Sequence, residues 1–102
     1  MSDWHELAKV ADCPPNSSLE RVIGDRVIAL FNVDGTFHAL DGICPHQCGP
    51  LGKGQLADCV VTCPWHGWQF DVRTGAYVLS DTVKQPHYDV RVEGETVLIR
   101  FS

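Results

Sequence analysis

Two short runs in this sequence pair a thiol with an imidazole. Cys44-Pro45-His46 is the first, and Cys63-Pro64-Trp65-His66 follows after sixteen intervening residues. Each arm, C-x-H and C-x-x-H, offers one thiolate and one imidazole, so two loops can together supply four ligands to a metal centre. Pro45 and Pro64 stiffen the loops, because each fixes φ and removes a backbone donor just after a cysteine. The remaining nearby amides are then free to point at what is bound. Two Cys and two His can also close a structural zinc site, but common zinc spacings put the cysteines together in one arm and the histidines in the other. The mixed arms argue against zinc.

The other chemistry-bearing residues lack such partners. His5, His38 and His87 have no paired cysteine and are read as packing or solvent-facing groups. Cys13, beside Pro14-Pro15, is an incidental thiol. Cys48 and Cys59 flank the two arms; a nonstandard disulfide there is the alternative, but a reducing compartment favours free thiols, with Cys59 buried beside Val60-Val61. Trp65 and Trp68 serve as core aromatics or as low-dielectric walls around a bound centre. Gly49, Pro50 and Gly67 shape the loops. Asp71 and Arg73, ahead of Thr74-Gly75, make a solvated turn pair and not an acid–base dyad.

The elements that must hold these loops read as strands. Val22-Ile23, the turn Gly24-Asp25 and the run Arg26 to Val33 suggest two strands joined tightly. Asp34-Gly35 is a strong hairpin signal, after which Thr36 to Leu40 returns, giving a three-stranded meander. Val90 and Val92, then Val97, Ile99 and Phe101, alternate with polar residues about the turn at Gly94-Glu95. They predict a C-terminal hairpin. Between these ends, residues 41–82 are dense in Gly, Pro, Cys and His, with short apolar pieces at Val60-Val61 and Trp68 to Val72. A short turn between Ser2 and Ala8 is the one hint of helix. The fold class is therefore all-β: an antiparallel sandwich or barrel base, carrying a small loop-rich subdomain.

With 102 residues, 44% of them hydrophobic, the chain can bury one core, and a single domain over residues 1–102 is expected. The start Met-Ser-Asp-Trp-His has no secretory pattern. The longest apolar run, Val27 to Phe31, is five residues, against roughly 20 for a membrane-crossing helix. A formal charge of −5 disfavours nucleic acid and anionic membranes as partners and favours a basic protein face. Five cysteines without an export signal suggest metal binding in a reducing cytoplasm.

The two arms, with the fuller runs Cys63-Pro64-Trp65-His66-Gly67-Trp68-Gln69-Phe70-Asp71 and Cys44-Pro45-His46-Gln47-Cys48-Gly49-Pro50-Leu51, resemble the Rieske family. The resemblance covers essentially the whole chain. It implies one [2Fe–2S] cluster, with Cys44 and Cys63 on one iron and His46 and His66 on the other. It also implies that an added electron settles on the histidine-bound iron, since neutral imidazole places less negative charge there than thiolate. High-potential members carry Ser and Tyr where this chain has Trp68 and Phe70. They also carry a disulfide cysteine where it has Trp65. Hydrogen bonds from those hydroxyls stabilise the more negative reduced state, so their loss implies a low potential.

A ferredoxin similar to the electron-carrying components of ring-hydroxylating dioxygenases follows from the resemblance. It would pass one electron from a flavin reductase to a non-haem iron oxygenase and act as a monomer. The alternative is a small Rieske-like subunit of a larger redox enzyme such as nitrite reductase. No catalytic residue is expected in this chain, because it has no room for a substrate domain and no second two-His, one-carboxylate iron site.

Overall fold

The computed structural model describes residues 4–42, 51–64, 67–78 and 86–100. Among the described residues nine strands run in the order β1 Trp4–Lys9, β2 Ser17–Ile23, β3 Arg26–Val33, β4 Thr36–Asp41, β5 Gln55–Ala57, β6 Val60–Thr62, β7 Gln69–Asp71, β8 His87–Glu93 and β9 Thr96–Arg100. They form a six-stranded sheet, β1-β9-β8-β4-β3-β2, and a three-stranded sheet, β5-β6-β7. All the pairings are antiparallel.

The meander β2-β3-β4 and the hairpin β8-β9 fall where the turn residues place them. In β3, five consecutive residues from Ile28 to Asn32 are buried. The cause is a strand covered on both faces. Ile28 and Leu30 enter one apolar core with Leu7, Ala39, Tyr88, Val97 and Ile99, which the curled large sheet wraps around itself. Ala29 and Phe31 point the other way, into a second core with Leu40, Leu51, Val61, Cys63, Phe70 and Val72. This second core seats the small sheet on the large one. Asn32, the buried polar residue at the end of this run, is satisfied: its Nδ2 donates to Cys13 O at 2.8 Å, and its Oδ1 accepts the Gly35 N–H at 2.7 Å.

The short turn expected near residues 2–8 is instead strand β1. It pairs with β9, but the register shifts between Glu6 and Ala8, so that Leu7 and Ala8 are buried side by side. A bulge of this kind breaks the two-residue alternation by which a strand is recognised in sequence. The start of the strand is held by Trp4, whose ring lies 4.6 Å from the Arg91 guanidinium on β8 and 5.0 Å from that of Arg100 on β9. No helix among the described residues is long and apolar enough to cross a membrane.

Candidate metal centre

The small sheet and the second core converge on Cys63. It follows directly on β6, is 1% exposed and is a free thiol. The hairpin that carries it is tightly defined. Thr62 pairs with Gln69, and one step further out the Cys63 N–H donates to Trp68 O at 2.7 Å. Just before Trp68, Gly67 takes a φ of +73°. A β-carbon at that φ would be strained, so glycine is the residue that lets the chain turn and come straight back into β7.

The root of the other arm lies nearby. Leu51 N–H donates to Gly42 O at 2.9 Å, and Gly42 N–H donates to Val27 O at 2.8 Å, so the segment between Gly42 and Leu51 leaves and rejoins the sheet at one point. From there Leu51 is fully buried beside Cys63 in the second core. The 3-10 turn Leu51–Lys53 ends at Gly54, whose N–H donates to Leu51 O at 3.0 Å. A β-carbon at Gly54 would collide with the carbonyl oxygen of Thr62, the residue before Cys63. This absence of a side chain lets the first arm's root close against the second arm's strand.

Cys44, His46 and His66 lie outside the described residues, as do Trp65, Cys48, Gly49 and Pro50. Cys63 fits a thiolate-ligated centre: it is a soft donor, buried, with its own N–H held by the Trp68 carbonyl.

The remaining singled-out residues divide clearly. Cys13 is fully buried, with the Ser17 hydroxyl 3.6 Å from its sulfur, and burial pushes its thiol pKa up. That makes it an inert packing group. Cys59 is free but half-buried, more open than its apolar neighbours suggest, because it sits in the β5–β6 turn. Its carbonyl accepts the Val72 N–H at 2.8 Å. Arg73 clasps Asp71 through Nη2–Oδ2 at 2.8 Å and Nε–Oδ1 at 3.1 Å, holding the Asp71 carboxyl below its usual range. The Arg73 side chain is 59% exposed, so this is a solvated turn pair. His5 is exposed.

His38 on β4 and His87 on β8 form a pair that neither residue's sequence neighbourhood signals. Their rings lie 6.5 Å apart, tilted by 47°. Burial, then the neighbouring His87, pulls His38 below the ordinary histidine value, with Asp71 opposing. His87 Nε2 is buried without a hydrogen-bond partner among the described residues. Trp68 packs half-buried against the second core, stacked on Tyr77, a residue that belongs to no motif.

A sequence profile described as the Rieske [2Fe–2S] domain matches residues 3–98. The chain belongs to the Rieske family. A Rieske domain carries a [2Fe–2S] cluster, which makes the buried Cys63 thiol part of an iron–sulfur protein. The 3-phenylpropionate/cinnamic acid dioxygenase ferredoxin subunit of Shigella boydii is 40% identical over 92 residues, 88% of this chain and 86% of its own. The ferredoxin component of the alkene monooxygenase system of Xanthobacter autotrophicus is 41% identical over 78 residues, 76% of this chain; that match spans 64% of the relative's own length. Among solved structures, a ferredoxin chain from a complex of reduced oxygenase and oxidised ferredoxin in carbazole 1,9a-dioxygenase superposes with a TM-score of 0.87. It is 27% identical, and the superposition covers 98% of this Rieske chain and 94% of that one.

Proposed function

We propose that this Rieske protein is a single-electron carrier of the ferredoxin kind, taking an electron from a flavin-containing reductase and delivering it to a non-haem iron oxygenase. The observation that carries the reading is the buried, free Cys63 on a hydrogen-bonded hairpin, within a Rieske match that runs from residue 3 to residue 98. Cys44 and Cys63 would hold one iron, and His46 and His66 the other. The cluster supplies reversible uptake of one electron at that site. The chain's part is to bind it with two thiolates and two imidazoles, to exclude water from the thiolate side through the second core, and to present the arms' outer ends to a partner.

The pairing with an oxygenase rests on the relatives' descriptions as ferredoxins of oxygenase systems and on the solved ferredoxin–oxygenase complex. The proposed carrier works as a monomer in the cytoplasm. It needs no substrate site of its own.

Absorption and low-temperature EPR spectra before and after dithionite reduction test the reading. Brown protein with two irons and two acid-labile sulfides, giving a rhombic reduced signal whose average g lies below the free-electron value, is the expected result. Protein that stays colourless after anaerobic reconstitution, or that binds zinc in place of iron and sulfide, overturns it. Co-elution with a larger enzyme in gel filtration would replace the free carrier by a subunit.

A further inference from the structure

The ring of Tyr77 lies flat on that of Trp68, with 4.5 Å between centroids and 7° between planes. Phe70 meets both at a tilt, 5.6 Å from Tyr77 and 6.4 Å from Trp68. The backbone delivers Tyr77 to this position. After β7 the chain turns through Val72–Gly75, closed by the Gly75 N–H donating to Asp71 O at 2.7 Å. Ala76 and Tyr77 then come back along β7. Asp71 N–H donates to Ala76 O at 2.9 Å, Val78 N–H donates to Gln69 O at 3.0 Å, and Tyr77 forms an antiparallel bridge with Phe70. The Asp71–Arg73 clasp holds the same turn. Tyr77 is therefore mounted on a short, fixed arm.

Trp68 is the residue whose carbonyl accepts the Cys63 N–H and so closes the metal-binding hairpin. Any shift of the Trp68 peptide is transmitted through this bond to the peptide that bears the thiol. Phe70 belongs to the same buried core as Cys63, and Trp68 and Tyr77 pack half-buried against that core, so the three rings add apolar cover to the core that holds the thiol.

We infer that Tyr77 is a positioning residue for the metal centre: its ring pins Trp68, which fixes the Cys63 peptide and keeps water away from the thiolate. The inference rests on Cys63 being a cluster ligand. The ring acts and the hydroxyl does not, because the contact is face to face. Loosening this cover admits water beside the cluster and lets the hairpin sample several geometries. Water favours the more negatively charged reduced state, so the potential rises, and varied geometry broadens the spectrum of the reduced centre.

The test compares purified loaded protein of wild type, Tyr77→Phe and Tyr77→Leu. The readouts are midpoint potential, EPR linewidth after reduction, the rate at which an iron chelator strips the cluster, and thermal unfolding by circular dichroism. Tyr77→Phe is expected to match wild type throughout. Tyr77→Leu is expected to show a higher potential, broader lines and iron loss about tenfold faster. A Leu variant that melts earlier yet keeps the wild-type potential, linewidth and iron-loss rate reduces Tyr77 to core packing and overturns the inference, as does a Phe variant that behaves like Leu. If the Leu variant does not fold, Tyr77→His, a smaller flat ring, must give intermediate broadening and iron loss; wild-type values there overturn the inference. Cys63→Ser tests the ligand assignment separately. A full cluster in that variant removes the assignment whatever Tyr77 does.

Discussion

Cys63 shows how much of the site is carried by single residues. Its position in a C-x-x-H run marks it as a ligand candidate, while its burial and the Trp68 carbonyl that anchors its peptide come from neighbours in space. Phe70 and Trp68 stand where high-potential Rieske proteins carry hydroxyls, and Phe70 is fully buried in the same core as Cys63. A redox titration is therefore expected to give a midpoint below zero, toward the lower end of the roughly −150 to +300 mV span of Rieske centres in general. A value well above zero contradicts it. His38 gives a second prediction at this scale. Its pKa in the folded protein lies below the ordinary 6.5, first because of burial and then because of His87. The neutral form is thus favoured by folding, so its contribution to stability is present above the unfolded value and is lost as pH falls through the folded one. Asp71 and Arg73 face the same ring with opposite effects. Between about pH 8 and about pH 5 the melting temperature should fall, and less steeply in His38→Gln than in wild type. Equal slopes would show that His38 does not carry the effect.

Elements bring the roots of the two arms together through close contacts that the motifs do not reveal. The 3-10 turn Leu51–Lys53 meets the end of β6 at Gly54, where a β-carbon would strike Thr62 O and crowd Val61. Gly54→Ala is expected to destabilise the protein by about 1–3 kcal/mol through overpacking. Denaturant titration followed by circular dichroism and by cluster absorbance would show it, with the absorbance lost first because the contact lies at the roots of the arms. Strand β3 joins the two cores by sending Ile28 and Leu30 to one face and Ala29 and Phe31 to the other. Phe31→Ala, which empties the layer between the sheets, should cost about 3–5 kcal/mol. An unchanged denaturation midpoint would show that the small sheet does not depend on this layer. The apolar run Val27 to Phe31 made β3 easy to find in sequence, because a strand covered on both faces needs no alternation. In β1 the bulge at Glu6–Ala8 hid the strand for the opposite reason.

At the scale of the whole molecule, the net charge of −5 favours a basic docking face over nucleic acid or anionic lipid. The rate of electron transfer with the proposed reductase is expected to fall as ionic strength rises, since charges more than about 10 Å apart are screened at 0.1 M salt. A salt-independent rate in stopped-flow measurements would remove the electrostatic steering. The sequence by itself determined the two candidate arms, the strand-rich ends and their turns, because these are written in residue type and local spacing: thiol and imidazole pairs, Asp34-Gly35, and apolar runs. Only the tertiary structure decided that Gly54 would close against Thr62, that His38 would meet His87, and that Tyr77 would cover Trp68. Those contacts join residues on different strands or across turns, so they depend on register, on the curl of the large sheet and on how the small sheet seats upon it. Local spacing carries no record of such pairings.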